Sequence, residues 1–262
     1  HCPGFRAFLC EGDVQKWVGE LLGEPAVLYK EKVNYKHAGG GGFGDFHARF
    51  PDGASIAAGE FQTVSLAGSD DFTATYGAGP TYEHYEDGAA DAIPDMRDAF
   101  AGSINNQGGL SNSGEVVILY AWDGASDLVQ DIDYAVWGDK AEAVDKTGVS
   151  IDGPDADADV SLYPADTPIA SQDVIATGSH ASGNSFQRVD FTEGAEAQSG
   201  GAGASGSVET SEDLSVTWDE LAPTPGEAPP GPPEPPAGDW LINEILADPA
   251  SGLAGDSNGD GV

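Results

Sequence analysis

The sequence predicts an all-β chain, and three observations predict it. Residues 109–137 hold two apolar runs, rich in β-branched and aromatic side chains, around an Asp-Gly turn. Shorter alternating stretches recur on both sides of that region. The 37 glycines and 17 prolines among 262 residues supply many turns and leave few windows for long helices.

Residues 116–122 suit a pleated, half-buried surface. Asp123 and Gly124 supply the turn, since glycine accepts positive φ cheaply and aspartate tolerates it. Residues 128–137 read as the returning strand. Val129, Asp131, Asp133 and Ala135 lie on one face and Leu128, Ile132, Tyr134 and Val136 on the other, with Gln130 breaking the alternation. The result is an antiparallel hairpin with a widened loop. Before it, residues 46–50 alternate as a strand, Pro51-Asp52-Gly53 turns, and residues 56–66 form a strand with Phe61, Thr63 and Ser65 on one face. Residues 80–105 read as an insertion packed down by Tyr82, Tyr85 and Phe100, with one or two helical turns over 95–100. After the hairpin, residues 169–175 are a candidate strand, and residues 199–206 are a Gly/Ala/Ser loop.

Several of these stretches carry a family resemblance. Leu110-Ser111-Asn112-Ser113-Gly114-Glu115, Ile118-Leu119-Tyr120, Asp123-Gly124 and Asp133-Tyr134 resemble the last hairpin of a lamin tail domain. Phe72 and Tyr76-Gly77 match a short aromatic segment of that family. Ser185-Phe186-Gln187-Arg188, Glu209-Thr210-Ser211-Glu212 and residues 215–218 resemble late strands of its bacterial members. The resemblance implies an immunoglobulin-like β-sandwich with long loops over residues 37–219. Residues 220–238, with eight prolines over 223–236, are an extended linker and a boundary. Within 239–262, Ile242-Asn243-Glu244-Ile245 followed by Pro249 resembles the opening strand of the same domain, so the resemblance implies one incomplete copy and the truncated start of a second. A lone first strand is expected to be loose or misplaced.

Residues 1–36 differ. They hold both cysteines and five of the ten basic residues, balanced by five acids, and lack the family's first strands. They read either as a segment foreign to the domain or as a divergent N-terminus. Val14, Trp17, Val18, Leu21 and Leu22 recur at helical spacing. A disulfide between Cys2 and Cys10 and two free thiols both fit the sequence.

The formal charge of −35 lies after residue 36. Such a surface repels nucleic acid and anionic membranes and attracts cations. No apolar run is long enough to insert in a membrane. Expected partners are therefore divalent cations and a protein or surface ligand, with no nucleic acid. The expected setting is secreted or at the cell surface.

Two stretches point to a hard cation. Asp256, Asn258 and Asp260 at alternate positions, followed by Gly261, match the first half of a calcium loop. The closing glutamate falls outside the sequence, so strong binding is expected only of a longer chain. Asp152, Asp155 and Asp157 sit in a loop of alternating carboxylates. Calcium is the ion such oxygens would hold, and a solvated acidic turn or charge run is the other reading of each. Histidines 1, 37, 47, 84 and 180 are scattered, and neither Gly-x-Ser-x-Gly nor His-Glu-x-x-His occurs, so no catalytic constellation is expected. Arg188, one of few cations, is expected in a structural salt bridge. The functional expectation is a non-catalytic binding, adhesion or spacer module of a secreted multidomain protein. The alternative is an accessory domain of an extracellular hydrolase, a nuclease or phosphatase.

Overall fold

The computed structural model describes residues 46–247, except 87, 105–108, 192–195, 198–199, 204–205 and 229–239. The chain divides into two units, residues 1–35 and 36–262, and every described residue belongs to the second. The described residues are mostly strand and loop, with few helical turns, as an all-β class requires.

The longest elements are β5 (Gly114–Ala121) and β6 (Gln130–Gly138), paired antiparallel from Gly114↔Gly138 through Ile118↔Tyr134. The register shifts between Leu119 and Tyr120, which face Asp133 and Asp131, so Ile132 is the extra residue of a bulge. Gly138 closes the far end with φ 80°; a Cβ there would lie 2.2 Å from the Ser113 carbonyl oxygen. Asp133 and every residue after it in β6 are buried, so the strand is covered on both faces.

Four strands precede the hairpin: β1 (Ala48–Arg49), β2 (Val64–Ser65), β3 (Tyr82–Glu83) and β4 (Arg97–Asp98). β1 pairs antiparallel with β4, and β2 pairs parallel with β3. After it come β7 (Ser150–Ile151) and β8 (Ser161–Leu162), antiparallel to each other. A three-stranded sheet then places β9 (Ser185–Arg188) between β10 (Trp218–Leu221) and β11 (Glu244–Ile245). Its core contacts join the hairpin's: Trp137 lies 5.7 Å from Phe186, and Tyr134, Val136, Leu214, Trp218, Ile245 and Ala247 belong to the same buried cluster.

Four stretches differ from the sequence reading. The aromatic segment at 72–77 belongs to a helix, α1 (Ser69–Tyr76). Asp70 and Asp71 favour its positive N-terminal end, and Gly77 at φ 77° caps it by donating its N–H to the Thr73 carbonyl. Only Val64 and Ser65 of residues 56–66 find a strand partner. Residues 95–100 are not helical, because Arg97 and Asp98 pair with β1. Residues 169–171 form a 3₁₀ turn behind Pro168, whose carbonyl accepts the Ser171 N–H.

Nor do residues 240–247, the described part of the last stretch, stand apart from the body. Glu244 faces Gln187 and Ile245 faces Phe186 across an antiparallel pair. Ile245 and Ala247 are buried. The short strand finds its partner on β9 because β10 occupies only one edge of it, which leaves the backbone groups of the other edge to pair and sets Ile245 opposite Phe186.

Candidate functional site

The candidate cation site lies where the β5–β6 loop meets the β7–β8 loop. Asp123 builds the first loop. Its Oδ1 accepts the Ala125 and Ser126 N–H groups at 2.9 and 2.7 Å, and its Oδ2 accepts the Ser126 hydroxyl at 2.5 Å. These donors, the Ser126 hydroxyl first, hold the exposed Asp123 carboxyl down at about 2. The Trp122 indole N–H donates to the Ser126 carbonyl at 2.8 Å and ties the loop's other side.

Asp127 follows. Its Oδ1 accepts the Gly153 N–H at 2.8 Å, and the Ser161 hydroxyl and that N–H lower its carboxyl below the usual range. A Cβ on residue 153 would lie 2.8 Å from the Asp127 Cα, so glycine permits the approach of the two loops. This approach brings one carboxylate oxygen each of Asp127, Asp152 and Asp155 within 4.8 Å of one another. Asp127 is half-buried and the other two are exposed. Carboxylate oxygens so grouped are the ligands a hard divalent cation takes. Asp157 takes another role: its N–H donates to Asp155 Oδ1 at 3.1 Å, and its own Oδ1 accepts the Asp159 N–H at 2.9 Å. Asp256, Asn258 and Asp260 lie outside the described residues. Beside the cluster an open cleft of about 840 Å³ runs past Trp122, Asp127, Gln130, Ser161 and Gly203.

Sequence reasoning missed Asp127, whose only mark was its place after the hairpin turn. It also missed a second carboxylate group, Glu83, Glu86 and Asp91, again with oxygens within 4.8 Å of one another. Ser69 at the start of α1 organises it. The Ser69 N–H donates to Glu83 Oε2 at 2.7 Å and its hydroxyl to Asp91 Oδ2 at 2.8 Å. Glu83 is fully buried, its Oε1 takes no hydrogen bond, and burial pushes its carboxyl up.

Among the described residues, Arg188 and Lys146 are buried cations. Arg188 donates to Asp133 Oδ1 at 2.7 Å, to Glu212 Oε2 at 3.2 Å and, through Nε, to the Ile242 carbonyl at 3.1 Å. It also stacks 4.8 Å from the Trp218 ring. The Ile242 N–H returns to Asp133 Oδ2 at 2.5 Å. Burial pushes the Asp133 carboxyl up, while Arg188 and the Ile242 and Tyr134 N–H groups draw it back. The arginine therefore has a structural salt bridge, and a larger one than the sequence suggested. Lys146 stands between Asp131 and Asp166, at 2.5 and 3.0 Å.

No protein-family model matches the chain, and no solved structure matches it. Among curated proteins, a 40-residue stretch is 55% identical to a methylphosphonate hydroxylase of Gimesia maris. A stretch of the same length is 52% identical to a 2-aminoethylphosphonate dioxygenase of an uncultured bacterium. Each match covers 15% of this chain and 15% of the relative, so the chain spans about 15% of the length of the curated relatives it matches. Forty residues are too short to carry those proteins' activities across.

Proposed function

We propose that residues 37–219, together with the end of β10 and with β11 added to the β9 edge, form a lamin-tail-type, immunoglobulin-like sandwich that serves as a non-catalytic binding or spacer module of a secreted protein, steadied by a divalent cation. The observation that carries the cation is the meeting of Asp127, Asp152 and Asp155 from two loops. The −35 charge supports it by drawing cations to every such cluster. The placement of the Ser-Phe-Gln-Arg strand and of the 114–138 hairpin against one core supports the family reading.

Calcium titration with calorimetry and thermal melting tests the cation. Calcium at a hundred times its dissociation constant adds about 2.7 kcal/mol, which for a chain of this size raises the melting temperature by roughly 5–10 °C. Asp127→Asn removes that rise if the ion sits between the two loops. A rise that survives Asp127→Asn but is lost in Glu86→Gln moves the ion to the second carboxylate group. No heat and no shift at about 10 mM calcium, well above the dissociation constants of extracellular modules, overturns the cation.

A further inference from the structure

Lys146, Asp131 and Asp166 form a closed trio in the interior. All three side chains are at most 5% exposed. Lys146 Nζ lies 2.5 Å from Asp131 Oδ2 and 3.0 Å from Asp166 Oδ2. Asp166 Oδ2 also accepts the Lys146 backbone N–H at 2.8 Å, and the Asp166 N–H donates to the Thr147 hydroxyl at 3.0 Å. Asp131 is pinned from its backbone side by donating its N–H to the Ala202 carbonyl at 3.0 Å. The Tyr163 ring faces the ammonium at 5.8 Å.

We propose that Lys146 and Asp131 condense into an intramolecular isopeptide bond, with Asp166 relaying the protons. Three physical facts carry the step. The contacted oxygen is one bond from the carbon to be attacked, so the nitrogen stands close to the near-attack separation of about 3–3.5 Å. Burial disfavours three separate charges in one dry place, and passing a proton from the ammonium to a carboxylate leaves one charge there instead of three, with the amine neutral. Water is the product, and a nearly dry interior neither stabilises the ions nor reverses the condensation. Burial pushes the Asp131 carboxyl up, in the direction the step needs, although the neighbouring carboxylates hold the ammonium up as well.

The balance closes without any co-reactant. The ammonium passes one proton to Asp166, and the free amine attacks Asp131 Cγ. The new N–C bond forms as one C–O bond breaks. The departing oxygen leaves as water with two protons that began on nitrogen, one returned by Asp166. Asp166 ends as it began. The cross-link fastens β6 to the loop that follows it. It rests on neither the cation nor the family reading.

Intact mass spectrometry of the folded, unmutated chain tests the proposal. The mass expected is lower than that of the sequence by one water. Asp-Gly pairs such as Asp123-Gly124 also lose water on cyclising, so the site is read by peptide mapping. A branched peptide joining the segments of Lys146 and Asp131, with no tryptic cleavage after Lys146, is the expected result. Lys146→Arg and Asp166→Asn, checked for folding by circular dichroism, are both expected to restore the full mass. A folded unmutated chain at full mass, or one whose lost water maps elsewhere, overturns the bond. A dehydrated Asp166→Asn chain overturns the relay.

Discussion

Two buried cations hang from the same strand, on acids two residues apart, and they do opposite things. Arg188 meets Asp133, and Lys146 meets Asp131. Each takes a second carboxylate from a distant segment, Glu212 or Asp166. The guanidinium is flat, permanently charged and rich in donors, so it spans two carboxylates and the Ile242 carbonyl at once. It ties β6, the 209–212 turn and the β11 segment into one body and cannot give up its proton. The ammonium is a point charge with a titratable proton. Where the arginine only braces, the lysine has the means to react.

The largest expected effect breaks the arginine side. Arg188→Met leaves Asp133 and Glu212 buried without a cation and should cost about 3–5 kcal/mol, read by urea denaturation. Amide exchange should show β11 released in the same variant. A loss too small to measure would mean that the apolar cluster alone holds the three segments.

Next is Lys146→Met. Burial then raises the Asp131 carboxyl with no ammonium to oppose it. A folded-state value above the unfolded one means that the folded chain binds the proton more tightly. Stability is then greatest at low pH and falls as pH climbs from the unfolded carboxylate value through the folded one. Melting curves should therefore show the variant nearest the unmutated chain around pH 4–5 and furthest from it near pH 8. A gap independent of pH would sink the account.

Arg188→Lys is a milder probe. It keeps the charge but cannot serve three acceptors in a plane, so about 1–3 kcal/mol should be lost. Full stability in that variant would erase the distinction between the two cations. The smallest effect is a control at the exposed hairpin tip. Carboxyl NMR should find Asp123 titrating at about 2, well below an ordinary aspartate. Its contribution is present above the unfolded value of 3.8 and lost as pH falls through about 2. Ser126→Ala should move that midpoint up.

The hairpin was legible because its signals are local: β-branched runs, an Asp-Gly turn and alternation over eight or nine residues. Arg188 was legible as a paired cation because a positive charge in so acidic a chain needs a partner. Its partners were not, since Asp133 and Glu212 lie 55 and 24 residues away. Asp152 and Asp155 stood out by spacing; Asp127 joined them only through a loop contact that Gly153 permits. The helix at Ser69–Tyr76 was hidden by an aromatic pattern, although its Gly77 cap was in plain view.

By itself the sequence determined the strand-rich character, the hairpin, the negative field and the turns, because each follows from neighbours along the chain or from summed charge. Tertiary structure alone decided that β6 is buried on both faces, that β11 adds to β9, and that Lys146 sits between two aspartates. Those facts depend on which distant segments meet. No local propensity encodes that choice; burial and the pairing of buried charge select it.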